Sequence, residues 1–229
     1  MSKLIITTVG TSIRSNKLYP SEFNTYMDAL VNGTPLTSVR NIKNIINRTA
    51  DKVIENFNNN RPNKFLSAEI ASLRAFKNND KLGFSNDDVI ALLSTDTEDG
   101  KFCAEVNKRV LKELNWCTVL EPMVIKGLKT KKIREDEDIS KSFKEAGLNS
   151  LKEKVESLLN RQEYTEKYFN ITGGFKATIP FITILSFEKG MSLIYLYEES
   201  NDLIIISPPE TGTVSTYDEL IALTSQLGG

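Results

Sequence analysis

Three short segments hold the residues whose types and spacing can do chemistry: Gly10-Thr11-Ser12-Ile13-Arg14-Ser15, Ser94-Thr95-Asp96-Thr97-Glu98-Asp99-Gly100 and Thr172-Gly173-Gly174-Phe175-Lys176. Each follows a short apolar run and precedes a helical pattern, which is where open α/β sheets place their ligand-contacting loops. In the third, paired glycines let backbone N–H groups approach an anion, and Lys176 adds positive charge. The same glycines suit a tight strand-to-helix turn with a solvated lysine, and the residues alone leave both readings open. In the first, the hydroxyls of Thr11 and Ser12 can donate to a phosphate or cap a turn. Arg14 and Lys17 follow closely enough to reach a phosphate there, although exposed basic residues usually do nothing specific. In the second, Asp96, Glu98 and Asp99 can ligate a metal or act as bases, although acids at a helix start more commonly complement its dipole.

What is missing narrows the chemistry further. The 229 residues include no histidine, which excludes Ser-His-Asp and Cys-His hydrolysis, His-ligated zinc and any ribonuclease that relies on an imidazole base. The first loop has one glycine and so lacks G-x-G-x-x-G, and no G-x-x-x-x-G-K-[ST] segment occurs. A nicotinamide dehydrogenase and a P-loop ATPase are both disfavoured. No metal or other cofactor is expected. The net charge of −1 gives no global basic field for long nucleic acid, so an anionic ligand must be met by a local pocket, which favours a small ligand over a duplex. Cys103 and Cys117 read as reduced core thiols. The N-terminus lacks the cleavage site of a signal peptide, and the longest apolar stretch, Ile179 to Phe187, contains Pro180 and is too short to span a bilayer. The expectation is a cytoplasmic protein with no membrane partner.

The elements that must position these loops follow from periodicity. Lys3 to Val9 reads as a buried, central strand closed by Gly10. A helical region starts near Ser21, and Val39, Ile42, Ile46, Val53 and Phe57 mark one face of a long helix ended by Asn58 to Pro62. Ser67 is the expected N-cap of a helix carrying Ile70, Leu73 and Phe76. Val89 to Leu93 is a second strand, followed by a helix burying Cys103, Val106, Val110 and Leu114. Cys117 to Leu120 reads as a third strand. The mixed-charge stretch from Lys126 to Lys141, with Lys129, Lys131, Lys132 and Arg134 before Glu135, Asp136, Glu137 and Asp138, reads as a solvated loop or a lid over an anion. Phe143, Leu151, Val155 and Leu158 mark the next helix, Tyr168 to Ile171 the next strand, and an apolar helix runs on to Gly190. Ser192 to Tyr197 and Leu203 to Ile206 form a hairpin through Glu199 to Asp202. A short helix is expected from about Tyr217. The fold class is therefore α/β, a Rossmann-like mainly parallel sheet in one domain, with helices on both faces and an antiparallel hairpin at one edge.

In chain order, Thr7-Thr8-Val9-Gly10-Thr11-Ser12, Ser67-Ala68-Glu69-Ile70-Ala71-Ser72-Leu73, Leu93 to Gly100 with Cys103-Ala104-Glu105, and Asn170-Ile171-Thr172-Gly173-Gly174-Phe175-Lys176 resemble the CRISPR-associated Rossmann-fold (CARF) family. The likeness is to its small stand-alone members and covers nearly the whole chain. The resemblance implies a homodimer whose paired pockets bind a cyclic oligoadenylate, most often cyclic tetra-adenylate, a second messenger of type III CRISPR defence. In the members called ring nucleases, a serine or threonine of the first loop and a lysine of the Gly-Gly-Phe-Lys motif are active. The implied catalytic residues here are Ser12, with Thr11 beside it, and Lys176. The implied ligand-binding set is Gly10, Thr11, Ser12, Ile13, Arg14, Thr95, Asp96, Thr172, Gly173, Gly174, Phe175 and Lys176. The chemistry would be metal-free attack of a ribose 2′-OH on the adjacent phosphorus. A non-catalytic sensor of the same ligand, and a generic nucleotide-binding Rossmann protein, stay open. Family members often carry a second effector domain, and none is expected in the residues after Pro209.

Overall fold

The structure, a computed structural model, describes residues 2–129, 138–161, 164–197 and 199–209. Its centre is β1 (Lys3–Val9), whose apolar side chains alternate between two cores. Ile5 and Val9 enter the first core, Leu4 and Ile6 the second. The strand β2 (Val89–Thr95) repeats the pattern, with Ile90 and Leu92 on one side and Val89, Ala91 and Leu93 on the other. Burial on both faces is why these strands read as continuous apolar runs, as parallel strands under two helical layers do.

The sheet continues through β3 (Thr118–Val119), β4 (Met123–Ile125), β5 (Glu166–Asn170), β6 (Ser192–Leu196) and β7 (Leu203–Ile206). Its order is β3-β2-β1-β5-β6-β7, with β4 also on β2. All described pairings are parallel except the terminal β6–β7 hairpin. Helices α1 (Ser12–Ser15), α2 (Asn24–Val31), α3 (Ile42–Asn58), α4 (Ala68–Asn78) and α5 (Glu98–Leu114) send their buried residues into the first core. Beyond α6 (Ile139–Ser142), α7 (Leu148–Leu159) and α8 (Ile179–Glu188) fill the second. Ile70, Leu73 and Phe76 of α4 are fully buried, each worth about 1.5–3 kcal/mol relative to exposure.

The expected α/β architecture is what the chain adopts, with local differences. The single strand expected at Cys117 to Leu120 is two short ones, β3 and β4. Pro122 has no N–H for the ladder, so the chain leaves β2 and rejoins it three residues later. The long helix starts at Ile42 rather than near Val39, because Asn41 takes a left-handed φ of 59° and Val39 is extended. The helical region near Ser21 opens as a 3-10 turn, Ser21–Phe23. The charged stretch is not solvated throughout: Leu128 is buried, and its carbonyl accepts the Asp96 N–H at 2.8 Å. Lys131, Lys132, Arg134, Glu135, Asp136 and Glu137, and the helix expected from Tyr217, lie outside the described residues. No helix among the described residues is long and apolar enough to cross a membrane.

Candidate functional site

The strands β1 and β5 are parallel neighbours, paired from Lys3↔Glu166 to Thr7↔Asn170. From their C-terminal ends the chain leaves to opposite faces, since Ile13 of α1 enters the first core and Phe181, Ile182 and Leu185 of α8 the second. This is a topological switch point, the place in an open α/β sheet where a crevice forms between diverging loops. The loops that diverge here are Gly10-Thr11-Ser12 and Thr172 to Lys176.

The two loops are held backbone to backbone. A Cβ on Gly10 would stand 2.8 Å from the Gly174 nitrogen, and one on Gly174, at φ +95°, would stand 2.5 Å from the Thr8 Cβ. The Thr8 hydroxyl donates to the Gly173 carbonyl at 2.7 Å. Asn170, fully buried, accepts the Thr172 N–H at 3.2 Å and donates to Ser72 Oγ of α4 at 2.7 Å. Thr172 Oγ1 accepts the Leu196 N–H at 2.9 Å, which ties the loop to the end of β6.

Beneath the loops lies Glu69, in the first turn of α4 and 0% exposed. Its Oε1 accepts the Gly10 N–H at 2.7 Å, and its Oε2 accepts the Ser12 hydroxyl at 3.2 Å and the Asn107 amide at 3.3 Å. A Cβ on Gly173 would stand 2.1 Å from Oε1. One carboxylate therefore touches both loops. Ser12 Oγ also accepts the Ala68 N–H at 3.1 Å, and Ser67 caps α4 by accepting the Ile70 N–H at 3.1 Å.

Of the residues implied as ligand contacts, the structure brings Gly10, Ser12, Thr172, Gly173 and Gly174 together, with Thr11 between Gly10 and Ser12. Lys176 opens a 3-10 turn just beyond them and is exposed, and its side chain makes no hydrogen bond or ion pair among the described residues. Ile13 is fully buried and Phe175 packs edge-on against Phe143 at 6.0 Å between ring centroids, so both serve the cores. Arg14 is drawn to the buried Asp99 at 3.3 Å. Thr95 pairs with Thr97 at 2.9 Å between hydroxyl oxygens, and Thr97 caps α5. Asp96 accepts the Gly127 N–H at 3.2 Å and lies 3.5 Å from Lys101, while Glu98 accepts the Leu36 N–H at 2.7 Å. The acids of this loop thus hold neighbouring backbone and a lysine.

A cleft of about 1150 Å³ opens beside the switch point, with Ser12 and Thr172 in its wall and Arg61, Lys64 and Arg74 among its other residues. Glu69, Asn107, Asn170 and Arg74 were not among the residues that sequence reasoning singled out for a role. Glu69 did leave a signal: with Leu73 and Phe76 it keeps the i, i+4, i+7 spacing of a buried face, where a lone acid is out of place.

The fold and these loops define a doubly wound, Rossmann-like α/β protein whose switch point is lined by glycine and hydroxyl groups. The family model described as CRISPR-associated protein (Cas_APE2256) matches residues 64–209, and the chain belongs to that family. The matched stretch holds Glu69 and Thr172 to Lys176 but starts after the Gly10-Thr11-Ser12 loop. The comparison with curated proteins found no match.

Proposed function

We propose that this CRISPR-associated protein binds a cyclic oligoadenylate, cyclic tetra-adenylate by preference, at a homodimer interface and cleaves it slowly without a metal. The observation that carries the reading is the convergence of Gly10-Thr11-Ser12 and Thr172-Gly173-Gly174 at one switch point, with the exposed Lys176, whose side chain has no partner among the described residues, at its edge. The likeness to the CARF family supplies the ligand class, and the family match supplies the CRISPR context.

In this reading the ribose 2′-OH attacks the adjacent phosphorus and gives up its proton, the P–O5′ bond breaks, and the departing 5′-oxygen gains one proton. The proton lost at the 2′ position balances the one gained at the 5′ position, and no water is consumed. Two such cuts yield linear di-adenylate ending in a 2′,3′-cyclic phosphate. The protein holds the 2′-oxygen in line with the leaving group, and Lys176 stabilises charge that grows on the phosphoryl oxygens. A chain without histidine suits this route, since no water need be activated.

A sensor that binds the ring without cutting it has one observation in its favour. The Ser12 hydroxyl already donates to Glu69 and accepts from Ala68, a fully structural pair of bonds. Chromatography of cyclic tetra-adenylate after incubation with excess protein and EDTA tests both readings. Linear product ending in a cyclic phosphate supports the enzyme, an intact ring bound tightly supports the sensor, and an intact, unbound ring overturns both.

A further inference from the structure

We propose that Glu69 is the positioning residue of this site, taking the Gly10 amide and the Ser12 proton so that Ser12 meets a ligand as an acceptor for a ribose hydroxyl. The inference deepens the function proposed above and rests on it for the ligand.

A hydroxyl offers one proton and two lone pairs. The Ser12 proton goes to Glu69 Oε2 at 3.2 Å, and one lone pair takes the Ala68 N–H at 3.1 Å. One acceptor position is left. A phosphate oxygen is itself acceptor-only, so it gains nothing from Ser12 in this arrangement. A ribose hydroxyl has a proton to give and fits. The Gly10 N–H is likewise turned inward at 2.7 Å from Glu69 Oε1, which leaves a phosphate to other loop amides and to Lys176.

Complementing the dipole of α4 does not account for this carboxylate. An acid with that task does as well at the surface, whereas Glu69 is fully buried and bonded across 57 and 59 residues of chain to another element. The contact of Gly173 with Oε1 adds the second loop, so Glu69 sets the spacing of both. Asn107 of α5 holds the carboxylate from the far side at 3.3 Å, and its Oδ1 accepts the Ser67 hydroxyl at 2.7 Å. The pin is thereby fixed to the helix packed below it.

Two measurements test the proposal on the full chain. The first needs no ligand: in Glu69→Gln, amide hydrogen exchange at Gly10 should quicken by ~10-fold or more while β2 and α5 keep their protection. Glu69→Asp, which keeps the charge but shortens the reach, should show a smaller change in the same direction, and serves if the Gln variant does not fold. Unchanged Gly10 exchange in the variants that fold overturns the pin.

The second compares cyclic tetra-adenylate with its 2′-deoxy analogue. Ser12→Ala should weaken the ribose ring by ~5–10-fold, about one hydrogen bond, and leave the deoxy ring unchanged. Glu69→Gln should do the same and add little in the Ser12→Ala background. Equal weakening of both rings by Ser12→Ala overturns the acceptor role, and independent effects of the two substitutions overturn coupling through Ser12. If the wild-type chain binds neither ring, the proposed function falls together with the acceptor role, and Gly10 exchange still decides the pin.

Discussion

The Gly10 backbone lies so close to that of Gly174 that a methyl group on Gly10 would stand 2.8 Å from the Gly174 nitrogen. Both atoms belong to backbone anchored by Glu69 and Thr8, so neither loop can yield cheaply. Gly10→Ala should therefore fold less stably, by about 1–3 kcal/mol, the scale of overpacking a close contact. It should also push the two loops apart and weaken cyclic tetra-adenylate binding by ~10-fold or more. Denaturant melts and calorimetry read the two effects. Wild-type stability and affinity in this variant would show that the close approach is dispensable.

The Lys176 side chain is exposed and free of partners among the described residues, so removing it leaves no buried group unpaired. Lys176→Ala should keep wild-type stability within ~0.5 kcal/mol. If the side chain stabilises charge that grows in the transition state, single-turnover cleavage should slow by ~100-fold or more. Affinity for the ring should change much less. A variant that cleaves at the wild-type rate, a need for metal, or a 3′-hydroxyl product would each defeat the mechanism.

The ligand proposed is nearly two-fold symmetric, and one protomer offers one Ser12 loop and one Lys176 loop. A C₂ homodimer would set the two copies face to face across the axis. Scattering at micromolar protein with ligand present should give twice the single-chain mass. Calorimetry should rank cyclic tetra-adenylate above both the cyclic hexamer and linear tetra-adenylate, since the closed ring has already lost the chain entropy that binding removes from a linear one.

Lys101, in the first turn of α5, lies 2.7 Å from Glu98 of the same turn and 3.5 Å from Asp96 of the loop before it. Burial acts to lower its pKa, but the hydrogen bonds and charges of Glu98 and Asp96 outweigh it and raise the value above the ordinary 10.5. A base whose folded pKa is raised contributes stability that is complete below its unfolded pKa. That contribution fades as pH climbs through the folded value. The stability difference between wild type and Lys101→Met should thus stay flat, under about 1 kcal/mol, from about pH 6 to 9 and shrink above about pH 10.5. Urea melts across that range check it; a difference that grows at high pH would reverse the assignment.

Short-range physical preferences made much of this protein legible from the chain alone. The β-branched run Lys3–Val9 forms a strand with those ends, Ser67 caps α4, and Cys103, Val106 and Val110 share the buried face of α5. These outcomes depend on residues a few positions apart, so the information for them is local. The loops at Gly10 and Thr172 could also be found, because glycine and hydroxyl residues after an apolar strand mark a turn whatever surrounds it. Tertiary structure alone decided what those residues touch. Locally, Glu69 reads as a first-turn acid and Ser12 as a free hydroxyl. They meet because α4 is packed under the ends of β1 and β5, a contact across 57 residues that no window of sequence contains. The same holds for Asp96 and Glu98, whose acceptors are filled by Gly127 and Leu36, and for Arg14, which turns to Asp99. Residue type limits which bonds a group is able to form. The long-range packing of helices on the sheet selects which partner it finds.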